Sequence, residues 1–86
     1  MQRPSEFRSS DIDLIAAIMA ATGSTPSVYQ EKSNNLAVCE MEFTHEIQEV
    51  VLSYAAGDFM VNAKRFAACR SWLYRKAKEC MRWGGL

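Results

Sequence analysis

The stretch SVYQEKSNNLAVCEMEF, residues 27–43, sets the architecture, because its apolar side chains recur with a period of two. Such alternation is typical of a strand with one apolar face. Residues 27–31 would form a partner strand, since the polar turn formers of residues 32–35 separate the two segments. We therefore expect an antiparallel hairpin with a connection of about four or five residues. In its second strand, one face would carry Ala37, Cys39, Met41 and Phe43, and the opposite face would carry Val38, Glu40 and Glu42.

A helix is predicted on the N-terminal side of this hairpin. Ser10, followed three residues later by Asp13, matches the pattern of a capping box and predicts that the helix starts there. The residues that follow are so apolar that we expect burial on several sides, and Gly23 would end the helix in a left-handed conformation. Because two strands alone are only marginally stable in water, the segment around Phe7 is predicted to add a third strand.

Two further helices are predicted after the hairpin. Thr44 would cap the first of them, which Gly57 would end, and Asn62 would cap the last and longest helix, which ends at Gly84 and Gly85. The first of the two has an apolar stripe at helical spacing, formed by Ile47, Val50, Val51 and Tyr54.

The composition is that of one small globular domain covering residues 1–86, with 49% hydrophobic and 23% charged residues. The predicted order is β-α-β-β-α-α. It indicates an α+β fold in which three helices pack on a small antiparallel sheet of two or three strands. A chain of this size buries only about 60% of the surface that its unfolded form exposes, so a homo-oligomer that buries more is expected.

A net charge of zero conceals two segments of opposite sign. Residues 1–58 contain three bases and nine acids, a balance of −6, whereas residues 59–86 contain seven bases and one acid, a balance of +6. On a helical wheel, the last helix has an apolar side about 80 degrees wide and an opposite basic side about 60 degrees wide. We call the bases of that side the cationic stripe, which consists of Lys64, Arg75, Lys78 and Arg82. The apolar side consists of Phe66, Cys69, Leu73, Ala77 and Cys80.

A line of cations on one helix face predicts binding to nucleic-acid phosphates. Trp72 and Trp83 lie beside cations at the edge of the apolar side, where they would stack on a base or form part of a dimer interface. In two alternatives, an acidic surface neutralises the helix or engages a basic partner protein. That surface would comprise Glu40, Glu42, Glu46 and Glu49.

Other aromatic residues are expected to pack in the core. They are Phe43, Tyr54, Phe66 and Tyr74.

The residues that catalysis requires are sparse. His45 is the only histidine and would form an ordinary surface pair with Glu49. Cys39 belongs to the apolar strand face, where burial raises the pKa of a thiol and disfavours nucleophilic attack. Cys69 and Cys80 lie too far apart along a helix for a disulfide, and the sequence has no metal-ligand spacing or phosphate-binding glycine motif. We therefore predict a non-enzymatic protein that has no metal or cofactor and whose cysteines are reduced.

Several short motifs together resemble a known group of proteins. They are FRSSD at residues 7–11 before the Ala-rich helix, the acidic strand that ends in Phe43, YAAG at residues 54–57, and residues 61–74. Over roughly residues 6–78, the chain resembles a family of small uncharacterised domains of bacteria, phages and other mobile elements. The resemblance implies a compact α+β domain and either a DNA-linked role or inhibition of host machinery. It assigns no activity, cofactor or site residue.

Neither a membrane span nor a signal peptide is expected, since no stretch approaches about 18 apolar residues and the first residues lack an apolar core. A cytoplasmic location is predicted. The leading hypothesis is a dimeric, non-enzymatic module that binds nucleic acid. The alternative is a protein-interaction module, either a homo-oligomer or an inhibitor of a host protein, that uses the aromatic edge and the acidic N-terminal half. The residues assigned to nucleic-acid binding are Lys64, Arg75, Lys78, Arg82, Trp72 and Trp83.

Overall fold

Six elements follow one another in the order β-α-β-β-α-α in the computed structural model of the protein. It describes residues 6–33 and 36–84, the last four of these by their backbone. The predicted α+β class and element order are confirmed. The elements are β1 (Glu6–Ser9), α1 (Ile12–Thr22), β2 (Ser27–Gln30), β3 (Ala37–Glu42), α2 (His45–Ala56) and α3 (Ala63–Gly84).

The central strand of the sheet is β3, which pairs antiparallel with β1 on one side and β2 on the other. Phe7 stands opposite Met41, and Val28 stands opposite Cys39. These four side chains lie on one face of the sheet and join the hydrophobic core. The third strand predicted around Phe7 is therefore confirmed, and it pairs with the second strand of the hairpin.

Val38 departs from the predicted pattern of one apolar and one polar strand face. The alternation places it on the same face as Glu40, yet its side chain is only 8% exposed. It stands opposite Tyr29, which is itself half-buried, and side chains at such cross-strand positions cover each other. On the face of the sheet that points away from the core, Tyr29 and Val38 therefore form an apolar pair, whereas the residues of β1 on this face, Glu6 and Arg8, are charged.

The central helix is α1, which contacts α2, α3 and β1. Residues 15–20 are all buried, which confirms the predicted burial on several sides. The predicted ends of α1 and α2 are also confirmed. Gly23 and Gly57 adopt left-handed backbone conformations with φ of 77° and 82°, where a side chain would be strained.

The cap of α1 differs from the prediction by one residue. Asp11, rather than Ser10, is the N-cap, because the Asp11 backbone is extended and its carboxylate accepts a hydrogen bond from the Leu14 amide at 3.2 Å. The predicted cap of α2 is confirmed, since the Thr44 hydroxyl accepts from the Ile47 amide at 3.2 Å.

The longest helix, α3, lies against α1, β2 and β3 along one side. Leu73 is fully buried at the centre of that side, and Phe66 and Cys69 are partly buried against the core. Its predicted cap is confirmed, because the Asn62 side chain accepts from the Arg65 amide at 3.0 Å. Since its supporting elements cover only this side, α3 presents its opposite side to solvent.

Candidate nucleic-acid interface

Three cations of the predicted stripe share the exposed side of α3. Lys64, Arg75 and Lys78 are all exposed. Lys64 and Lys78 are 14 residue steps apart on one helix, a length of about 21 Å at the usual helical rise. The side chains of Arg82 and Trp83, the remaining predicted residues on the last turns, lie outside the described residues.

These three cations form no ion pair with a carboxylate in the described part of the chain. Among residues 6–33 and 36–80, no carboxylate oxygen lies within 4.0 Å of the charged nitrogens of Lys64, Arg75 or Lys78. Of the acids expected to neutralise them, Glu40 instead accepts from Arg8 Nε at 2.5 Å. Because the acidic residues are not brought against the stripe, its charge is open to an external partner.

Two other cations of α3 are held within the protein. Arg70 Nε lies 2.6 Å from Asp13 Oδ1, and this ion pair joins α3 to α1. The hydrogen bond to Asp13 raises the pKa of the Arg70 guanidinium. Lys76 Nζ lies 3.6 Å from Glu79 on the same helix. Arg70 and Lys76 therefore differ from the three stripe cations Lys64, Arg75 and Lys78, which form no ion pair among the described residues.

Trp72 lies apart from the stripe. Its half-buried ring packs against the core and lines an open groove of about 440 Å³ beside Pro26 and Val28. Lys76 Nζ lies above the same ring, 5.5 Å from its centroid. Because the core and the residues around Pro26 cover part of this ring, the structure does not leave it free beside the exposed cations of the stripe.

Tyr74 is the aromatic residue that lies beside the stripe. The prediction that it packs in the core is wrong, because its side chain is 49% exposed. Its chain neighbour Leu73 points into the core, and consecutive helical residues diverge by about 100 degrees. Tyr74, Arg75, Ala77 and Lys78 line an open depression of about 410 Å³. The helical wheel contained the signal, since it places Tyr74 only about 40 degrees from Lys78.

The orientation of Tyr74 is coupled to the helix beneath it. Arg70 Nη2 donates a hydrogen bond to the Tyr74 hydroxyl oxygen at 3.5 Å, and Arg70 Cζ lies 5.0 Å from the centroid of the ring. Because Arg70 also binds Asp13, the side chains of Asp13, Arg70 and Tyr74 form a continuous chain of contacts from α1 to this exposed ring.

The groups considered for catalysis have ordinary surroundings. His45 Nε2 lies 3.0 Å from Glu49 Oε1, and both side chains are largely exposed, so the predicted surface pair is confirmed. Cys39 is buried, and burial is the main reason that the pKa of its thiol is raised. Cys39, Cys69 and Cys80 are all free thiols, which confirms that Cys69 and Cys80 are not joined.

Two further properties concern the described residues as a set. None of their His, Cys, Asp and Glu side chains gather in groups of three or more that would hold a metal ion. Among the same residues, no helix combines the length and the hydrophobicity that crossing a membrane requires.

Comparisons with known proteins give the chain no relative. No family model, no curated protein and no solved structure matches it. The resemblance to small domains of phages and other mobile elements therefore stays a prediction.

Proposed function

We propose that this protein is a small non-enzymatic module that binds nucleic-acid phosphates through the exposed side of α3. The observation that supports the proposal is the set of three exposed cations, Lys64, Arg75 and Lys78, which have no carboxylate partner among the described residues. Phosphates that such cations neutralise release their condensed counterions, which favours binding.

The spacing of the cations suits a polyanion better than a single anion. Arg75 and Lys78 are one helical turn apart, and Lys64 lies about 16 Å further along the axis from Arg75. A nucleic-acid strand offers about one phosphate per 3.4 Å of duplex axis, so one strand laid along α3 can contact all three cations. A small anion would reach only one or two of them.

The direct test is charge reversal on the exposed side of α3. The double variant Arg75→Glu/Lys78→Glu should lose binding to labelled single-stranded and duplex oligonucleotides, measured by fluorescence anisotropy at low salt. Both side chains are exposed, so the circular dichroism spectrum and thermal midpoint should stay close to those of the wild type. Wild-type affinity in the double variant would contradict the proposal.

A matched pair of single variants controls for net charge. Lys78→Glu and Lys32→Glu change the charge equally, and both side chains are exposed, but Lys32 lies in the hairpin turn rather than on α3. We expect Lys78→Glu to weaken binding and Lys32→Glu to leave it nearly unchanged. Equal effects would show that binding depends on overall charge and not on the stripe.

A protein-interaction module is the second candidate, favoured by a different surface. Met60 is 90% exposed and Leu52 is 62% exposed. Next to Met60 in the chain, Phe59 lines an open groove of about 430 Å³, together with Tyr54 and Phe66. Exposed apolar side chains beside such a groove are typical of interfaces between proteins.

Light scattering coupled to size-exclusion chromatography, run with and without an oligonucleotide, separates the two candidates, because only the nucleic-acid module forms a salt-sensitive complex with the oligonucleotide. A dimer built on apolar contacts would persist at high salt, because apolar burial is not screened, and Met60→Asp would dissociate it. A monomer at every salt concentration would contradict the homo-oligomer.

A further inference from the structure

We infer that the nucleic acid bound by the cationic stripe is single-stranded, with one unstacked base resting on the ring of Tyr74. This inference depends on the proposed function and adds the class of strand that the site accepts. It rests on the position of an exposed aromatic ring among unpaired cations.

The local composition of the site suits a nucleotide. Tyr74 is half-exposed and borders the same depression as Arg75 and Lys78. An aromatic side chain offers a face on which any base can stack, and neighbouring cations bind the phosphates on either side of that base. One nucleotide would therefore make two kinds of contact within a single turn of α3.

The ring is also held in place before any strand arrives. Arg70 donates a hydrogen bond to the Tyr74 hydroxyl oxygen and lies 5.0 Å from the ring centroid, while Asp13 holds Arg70 at 2.6 Å. A side chain that is already oriented loses less conformational entropy on binding. Because the charge of Arg70 is paired with Asp13, we assign Arg70 a positioning role rather than a phosphate contact.

A duplex would not use this ring. In double-stranded nucleic acid, both faces of each base are stacked on neighbouring bases, so a side chain on a helix surface reaches only base edges and the backbone. Recognition of unpaired strands combines aromatic stacking with a basic surface, which is the combination at Tyr74. Trp72 does not supply an equivalent platform, since its ring packs against the core.

The test compares three labelled oligonucleotides of one sequence, about 12 nucleotides long: single-stranded DNA, single-stranded RNA and duplex DNA. We expect the wild type to bind at least one of the single strands about fivefold or more tightly than the duplex. Tyr74→Ala should weaken binding to that strand about fivefold or more, because a stacked base is lost, and should change duplex binding less than about twofold. Tyr74→Phe keeps the ring but loses the hydroxyl that Arg70 holds, so it should weaken single-strand binding less than Tyr74→Ala does and leave duplex binding within about twofold of the wild type.

The positioning role of Arg70 has its own readout, the ratio of single-strand to duplex affinity. Asp13→Asn removes the charge that pairs with Arg70, so Arg70 would hold the Tyr74 ring less firmly. The variant should therefore lower the ratio of single-strand to duplex affinity without changing the duplex affinity. A merely structural loss would weaken both probes together, and that result would overturn the positioning role.

Two results would overturn the inference about the strand. They are a wild type that binds the duplex as tightly as either single strand, and a Tyr74→Ala variant that binds the preferred strand like the wild type. In both cases the proposed function stands if Arg75→Glu/Lys78→Glu still loses binding to every probe. If that double variant also binds normally, the proposed function itself fails. A preference for DNA or for RNA supports the inference in either case and identifies the sugar that the site accepts.

Discussion

Raising the salt concentration should weaken nucleic-acid binding by a factor that counts the cations in contact with phosphate. The described part of α3 supplies three such cations, Lys64, Arg75 and Lys78. Each neutralised phosphate of a single strand contributes about −0.7 to the slope of log affinity against log salt, so three contacts give about −2.1. Between about 50 mM and about 200 mM salt, the affinity should therefore fall about 20-fold. A duplex with the same contacts would show a steeper slope of about −2.7.

The assay is a series of anisotropy titrations at several salt concentrations, with the slope as the measured quantity. Lys78→Glu retains two cations of the three, so its slope should shrink to about −1.4. Lys32→Glu should keep the wild-type slope. A wild-type slope near zero, or one that Lys78→Glu leaves unchanged, would refute the reasoning. A steeper wild-type slope, equivalent to four phosphate contacts, would indicate that Arg82 also binds a phosphate. Arg82→Gln should then reduce the slope by the value of one contact, about 0.7.

Three further predictions concern stability and titration. Leu73→Ala should lower the free energy of unfolding by about 3–5 kcal/mol, since Leu73 is fully buried, and a loss below about 1 kcal/mol in urea denaturation would contradict this packing. Cys39 should be alkylated more slowly than the other two cysteines in the native state, because it is fully buried and its pKa is raised. Equal labelling rates by mass spectrometry would exclude that difference. The pKa of Glu40 is lowered, first by the neighbouring Glu6 carboxyl and then by the hydrogen bond from Arg8, while the pKa of Glu6 is raised by Glu40. The stability that Arg8 gives the ionised Glu40 is present above the unfolded pKa of Glu40 and lost as the pH falls through its folded pKa. Arg8→Ala should raise the pKa of Glu40 in an NMR titration, and an unchanged value would show that Arg8 is not responsible.

Local patterns in the chain were sufficient to predict most of the architecture. The period of two in residues 37–42 and the turn formers before it predict the hairpin that the structure contains. Thr44 and Gly57 mark the ends of α2 correctly, because a side-chain cap and a left-handed glycine act on backbone groups only a few residues away. The one-residue difference at the start of α1 has the same local origin, since Ser10 and Asp11 are both residues that cap helices.

The surface of α3 followed from its sequence only in part. The helical wheel separated the stripe from the apolar side correctly, because side-chain direction within one helix depends on residue spacing alone. It could not show which cations have acidic partners. Arg70 and Asp13 are 57 residues apart, and only the packing of α3 against α1 brings them together.

The aromatic residues show the same division between local and long-range information. Both Trp72 and Tyr74 lie at the margins of the apolar side of α3, and the helical wheel favoured Trp72 as the ring beside cations while Tyr74 was expected to pack in the core. β2 and the loop before it lie beside Trp72, whereas the elements packed around Tyr74 leave it half-exposed. Backbone conformation and the direction of each side chain depend on neighbours a few residues away and can be inferred from the chain. The burial of a ring or the pairing of a charge depends on which distant elements pack beside it, and this requires the folded structure.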